Sequence, residues 1–208
     1  MSTKRQKCYK CRFVRIIMNK NDRRSKKTEA ALLNALAELL KQKQLREIAV
    51  NELVDLANLH RSTFYLHYQD IFDFYQQTEN SFLAIYENVI KESATHDYSG
   101  AIKSILTYVD ENRAVAGMFF GKNAEPSFRI QLTEYIKRQY IKISAYEDHI
   151  SKIPPEWNAL AAYHAGGMMN LLASWVQSDY SLPKDEMVTL FIELDNRVAD
   201  LRRKTCGR

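Results

Sequence analysis

The chain has 208 residues, 46% hydrophobic and 26% charged, with a formal net charge of +5. That is long enough for one or two domains with a true core, and too ordinary in charge for a disordered protein. No run approaches the roughly 18 apolar residues of a membrane span, and the basic N-terminus lacks the apolar stretch of a secretory signal, so a cytoplasmic protein is expected.

The charge is unevenly spread. Residues 1–27 hold eleven Lys and Arg against Asp22 alone, a net +10, so the remainder sums to −5. A basic arm on a mildly acidic body suits a phosphate-binding end, or a solvated tail. Cys8 and Cys11 form a C-x-x-C, but Cys206 is the only other cysteine. A closed zinc site needs four ligands and a redox pair needs a strand context, so no metal or redox chemistry is expected. Met18 opens a short basic lead and is the expected start, with residues 1–17 an extension. The organisation expected is a basic, disordered extension over 1–25, a head over 26–72 and a body over 73–208.

Thr28 is placed to cap a first helix running to about Lys43, with Leu32, Leu36, Leu39 and Leu40 as its apolar stripe. Val50, Leu53, Val54 and Ala57 then recur at i, i+3, i+4 and i+7, a short second helix. Asn58 follows, one of the few non-glycine residues that tolerates a left-handed turn. A third short helix runs through Arg61 to His67, with Leu59, Phe64 and Tyr68 apolar and Arg61, Ser62, Thr63, Tyr65 and His67 polar. Two short helices about a turn, the second polar on its outer side, read as a helix-turn-helix. Asp70 reads as the N-cap of a long fourth helix to about Glu92. Helical patterns follow at about 100–111, 113–120, 127–150, from Pro154-Pro155 to Gln177, and from Pro183 to about Arg203. The fold class expected is all-α, about nine helices.

The head resembles the tetracycline-repressor family of transcriptional regulators, on Ile48, Leu53, Ala57, Thr63-Phe64-Tyr65 and His67-Tyr68. The departures are Asn58 for the usual turn glycine, His60 for a serine, Ala49 for a capping threonine (a cost of roughly 1 kcal/mol) and Ile71 for a lysine. If Ile71 replaces one phosphate contact, the log–log salt slope flattens by about 0.9 per half-site. In the body, Phe119-Phe120-Gly121, Pro126-Ser127-Phe128, Ile153-Pro154-Pro155, Ala165-Gly166-Gly167, Trp175 and the Pro183 opening look like the subclass that includes the regulators of dihydroxyacetone-kinase operons.

The resemblance implies a homodimer on double-stranded operator DNA, responsive to a small-molecule effector. Repression is the family default; activation with a partner protein occurs in that subclass. Arg61, Ser62 and Tyr65 are candidate base contacts, and Thr63, Tyr65, His67, Lys26 and Lys27 candidate phosphate contacts. His67 reads equally as a core histidine under the turn. Tyr86, Tyr108, Met118, Phe119, Tyr135, Tyr163, His164, Met168 and Trp175 either line a ligand cavity or fill a core. Ala161, Ala162, Ala165, Gly166 and Gly167 give one helix a small-residue face. With Leu190 and Leu194 it forms a dimer interface, or it packs within one subunit. No phosphate loop, nucleophile elbow or metal-ligand spacing is present, so no catalytic residue, metal or cofactor is expected. A second reading is a protein-interaction module or co-activator without tight DNA binding; an enzyme on a helical bundle is a third.

Overall fold

The computed structural model describes residues 23–93 and 98–206, and among them the chain is all-α: nine helices, one 3-10 turn and no strand. The C-x-x-C pair and the expected start at Met18 lie outside the described residues.

The first helix, α1, spans Arg23–Leu40. It runs back past Thr28, which is therefore a half-buried helix-interior residue and not a cap, and it ends at Leu40 rather than Lys43. Its stripe is sealed: Leu32 and Leu36 are fully buried, with Ala35, Leu39 and Leu40 beside them. A 3-10 turn at Leu45–Glu47, which no periodicity announces, is closed by the Glu47 carboxylate accepting the Gln44 N–H at 2.8 Å. Helices α2 (Val50–Leu56) and α3 (Arg61–Tyr65) follow.

Helix α4 (Ile71–Ser93) is 23 residues long, about 35 Å at 1.5 Å per residue. Asp70 caps it as expected: its Oδ1 accepts the Asp73 N–H at 2.8 Å, while Asp73 Oδ2 accepts the Gln69 N–H at 2.8 Å. The bonds that its carboxylate accepts from the Gln77 side chain and the Gln69 N–H hold the Asp73 carboxyl below its usual pKa. Ile71, read as standing in place of a phosphate-contacting lysine, does not face solvent. It is a core residue at the first turn of α4, so packing and not charge governs what stands there; its exposed neighbour is Phe72.

The body comprises α5 (Tyr98–Glu111), α6 (Arg113–Phe120), α7 (Pro126–Glu147), α8 (Glu156–Gln177) and α9 (Lys184–Cys206). Pro126 stands at the start of α7, where its missing N–H costs nothing. Helix α9 carries Asp185 and Glu186 in its first turn and Arg203 and Lys204 in its last, each complementing the helix dipole.

Helix α6 is the hub. Met118, Phe119 and Phe120 are all fully buried, because α6 packs against α1, α5, α7 and α8. Phe119 stacks on Phe128 at 4.3 Å and meets Phe82 edge-on at 5.3 Å. One apolar core runs unbroken from α1–α3 through Ile71, Phe74, Tyr75 and Phe82 of α4 into α5–α9. Polar stitches follow the same route: Tyr75 donates to the Met118 carbonyl (3.1 Å), Asn123 to that of Leu40 (2.9 Å), and Gln177 to that of Phe120 (2.8 Å). Buried Glu79 of α4 accepts from Ser127 at 2.8 Å and from the Phe128 N–H, closing the open N-terminus of α7 from another helix.

Three helices end with a left-handed residue and paired 6→1 and 5→2 bonds. After α2 it is Asn58 (φ 52), with Leu59 N–H on Val54 O (2.9 Å) and Asn58 N–H on Asp55 O (3.1 Å). His149 (φ 54) ends α7 and Asp179 (φ 53) ends α8 in the same way. None is glycine.

Candidate nucleic-acid interface and body cavity

The turn at Asn58 fixes the angle at which α3 leaves α2, and Phe64 fixes its roll. Phe64 is fully buried, its ring 5.4 Å from Tyr68, 5.5 Å from Tyr65 and 6.1 Å from Phe74. With that side held in the core, the opposite side of α3 faces out. Arg61, Ser62 and Tyr65 are exposed, and Thr63 and His67 half-buried. Arg61 and Tyr65 lie one turn apart: the guanidinium donates to the Tyr65 hydroxyl at 3.4 Å and sits 5.3 Å from its ring centre. Ser62 Oγ and His60 Nδ1 are 3.3 Å apart, so His60, which stands in the N-cap position without bonding the backbone, adds a polar group to this face. Lys27 is exposed and Lys26 half-buried on α1. His67 packs its ring against Tyr68 at 6.1 Å, part under the turn and part in solvent.

The structure draws the α2–α3 candidates together and adds what the sequence reading passed over. Lys43 is bound by Glu52 at 2.6 Å, fixing the loop after α1 against α2. Leu56, Leu66 and Phe72 are exposed around the same region, Leu66 at 79%. A single-residue apolar exposure carries no periodic signal, so nothing in the spacing marks these three.

The body holds two adjoining spaces. The outer, about 330 Å³, lies between α4, α7, α8 and α9 and is lined by polar side chains including Gln139, Tyr140, Ser144, Glu147, Asp195 and Arg202. The inner, about 50 Å³, is walled by Ile102, Ile105, Leu106, Met168, Leu172 and Phe191. Tyr86, Ile136 and His164 line both and form the neck between them. His164 is 3% exposed, its Nε2 2.6 Å from Asp195 Oδ1, its ring stacked on Tyr140 at 4.5 Å, and its Nδ1 without a partner. Arg202, 2% exposed, donates to Asp148 (2.9 Å), Glu147 (3.0 Å) and Ser144, clamping α9 to the end of α7. Burial raises the pKa of the Tyr86 phenol, so it stands neutral at the neck.

Of the nine aromatic and methionine candidates, Tyr86, His164 and Met168 line these spaces. Tyr135 lies behind, its ring 5.7 Å from that of Tyr86. Tyr108, Met118, Phe119 and Trp175 fill the core, Trp175 donating to the Leu182 carbonyl at 2.7 Å. Tyr163, one residue and so about 100° from His164, points away from the cavity and is 72% exposed. The sequence reading missed Asp195 and Arg202. Their signal is legible in hindsight: an Asp and an Arg seven residues apart on the buried stripe of Met187, Phe191 and Val198.

The small-residue face of α8 divides. Ala161 and Ala165 are fully buried within the subunit. Ala162 and Gly167 are exposed and Gly166 half-buried, with open space where a Cβ would stand on either glycine. Tyr163 of α8 and Leu194 (41% exposed) and Leu201 of α9 are also exposed, with Leu190 half-buried.

Residues 96–196 match the family model TetR_C_8, described as a transcriptional regulator C-terminal region. No curated protein matches the chain. Among solved structures it is similar to the dihydroxyacetone kinase operon activator DhaS, at 16% identity and TM-score 0.57, covering 84% of this chain and 95% of that one. It is likewise similar to a TetR transcriptional regulator from Streptococcus agalactiae 2603V, at 20% identity and TM-score 0.57, covering 83% and 96%. At these identities the likeness is one of fold. Among the described residues no helix is long and apolar enough to cross a membrane, and no cluster of three or more His, Cys, Asp or Glu could hold a metal ion.

Proposed function

We propose, from the match of residues 96–196 to a family model described as a transcriptional regulator C-terminal region, that the chain is a sequence-specific DNA-binding regulator of the TetR type, homodimeric and controlled by a small molecule. The observation that carries this is α3 itself. It is rolled by Phe64 and aimed by the left-handed Asn58, so that Arg61, Ser62 and Tyr65 project together from one exposed face. Arginine matches guanine O6 and N7 in a fork, and Tyr65 fits a thymine methyl. Thr63, His67, Lys26 and Lys27 flank that face as phosphate contacts that set register.

One five-residue helix grips too little DNA alone. The outer surface of α8 and α9, with Ala162, Gly166, Gly167, Leu190 and Leu194, is the proposed dimer contact, presenting two heads about 34–36 Å apart for successive major grooves. A ligand in the α4–α9 cavity shifts the population toward a body whose head spacing no longer fits, or newly fits, the operator. Repression and activation are the two signs of that shift; repression is the proposed one. The protein acts in the cytoplasm, has no catalytic residue in this reading and needs no cofactor.

The test is duplex binding by the purified chain across a salt series, using DNA from upstream of its own gene and a scrambled duplex. A steep log–log slope of several units with tighter binding to its own DNA supports the reading. The exposed Leu56, Leu66 and Phe72 beside α3 favour a second reading, a protein-interaction module or co-activator. Weak, sequence-indifferent binding in the same series selects it.

A further inference from the structure

The cavity at the α4–α9 end carries a chemical signature of its own. Every charge lining it already has a partner: Arg202 is held by Asp148 and Glu147, Arg203 by Asp200 at 3.0 Å, and Asp195 by His164. Gln139 and Asn196 make no side-chain hydrogen bond to any described residue, and His164 Nδ1 has no partner either. Apart from the His164 ring, which is paired with Asp195, the unspent polar groups are neutral. The inner space beyond the neck presents hydrocarbon and methionine sulfur, and Met168 and Met169 can repack around different shapes.

An ion brought here gives up part of its hydration and finds the counter-charges already paired. A hydroxyl has no such difficulty. If a neutral His164 donates its Nε2–H to Asp195, the bare Nδ1 accepts from a hydroxyl. If the ring carries both protons, Nδ1–H donates to the same oxygen. Resting on the reading of the body as ligand-binding, we propose that this cavity takes an uncharged amphiphile, its hydrocarbon end in the inner space and its hydroxyl at the neck beside His164.

Three probes on one skeleton test it by calorimetry on the full chain: hexanol, hexanoate and hexylammonium. Hexanol binds at least about tenfold more tightly than either ion, and Ile105→Phe, which fills the inner space, removes hexanol binding while duplex binding and the melting temperature are kept. Hexanoate or hexylammonium binding as tightly as hexanol overturns the proposal, as does the absence of hexanol binding or its persistence in Ile105→Phe. Duplex affinity is measured alongside. Hexanol binding as expected without changing duplex affinity leaves the cavity chemistry standing and removes ligand control. Duplex affinity that answers to an ion and not to hexanol does the reverse.

Discussion

Arg61 and Phe64 occupy adjacent turns of the same short helix and separate reading DNA from holding the reader. Arg61 is exposed, and its contacts within the chain are a 3.4 Å hydrogen bond and a 5.3 Å cation–π approach, both to exposed Tyr65. Contacts of that kind at a surface are worth about 0.5 kcal/mol, so Arg61→Ala leaves the urea midpoint almost unmoved. In the proposed complex the same change removes one forked base contact per head, about 1–3 kcal/mol each. Two heads make that about 2–6 kcal/mol, a loss of roughly thirtyfold or more on the preferred duplex. A scrambled duplex loses much less, because its affinity rests on phosphates. Phe64→Ala is the opposite case: a fully buried ring facing three aromatic neighbours, whose removal costs about 3–5 kcal/mol of stability. Urea denaturation and fluorescence anisotropy at fixed salt measure both. If Arg61→Ala lowers stability by more than about 1 kcal/mol, or leaves the ratio of preferred to scrambled affinity unchanged, α3 does not read bases through this residue.

Burial raises the pKa of Glu79 against the lowering effect of its bonds from Ser127 and Phe128, with the Glu125 carboxylate adding to the rise. The folded state therefore favours its proton, and that stability is full below the ordinary value of 4.5 and lost as pH rises through the raised one. The stability difference between the native chain and Glu79→Gln should accordingly fall as pH increases from 5 toward 7, and a difference that grows over that range refutes the assignment. His149→Gly relieves a left-handed backbone at φ 54 on an exposed residue, and should raise the unfolding free energy by about 0.5–1 kcal/mol in urea. Arg202→Met leaves Asp148 and half-exposed Glu147 unpaired at the end of α7 and should cost about 1–3 kcal/mol; a loss under about 1 kcal/mol in the same titration shows that the clamp does not hold α9.

What could be read from the chain beforehand was local. Asp70 and the Val50–Ala57 spacing act within four residues of themselves, and the helices they announce are there; Pro126, read as a break before a helix from about 127, is that helix's first residue. Asn58 was legible because few side chains tolerate its backbone; His149 and Asp179, in the same conformation, were not, since nothing near them required a turn of that kind. Thr28 misled because a capping residue inside a helix looks the same as one at its start. The cavity was partly legible. Tyr86, His164 and Met168 carry its lining by residue type, but which way each faces depends on helix rotation, and Tyr163 sits one step round from His164. The Asp195–His164 and Arg202–Glu147 pairings span 31 and 55 residues, and no short-range rule predicts them.

The head and the cavity do not share a wall, yet α4 touches both. Its first turns carry Ile71, Phe74 and Tyr75 in the core beneath α3, and Tyr86 three turns on stands at the cavity neck. Between them Tyr75, Glu79 and Phe82 are fastened to Met118, Ser127 and Phe119. A helix held at so many points cannot bend independently of α6 and α7. A ligand that parts Tyr86 from His164 must therefore move α4 as a unit or leave it where it is. Under the proposed ligand control the response is then all-or-none in character, and a ligand that turns a 1:99 balance of head positions into 99:1 must favour one of them by about 5.5 kcal/mol. That demand is why a cavity whose charges are already spent matters. In the proposed complex the discrimination comes from burying hydrocarbon at about 25 cal/mol per Å² and from one well-placed hydroxyl, not from a salt bridge.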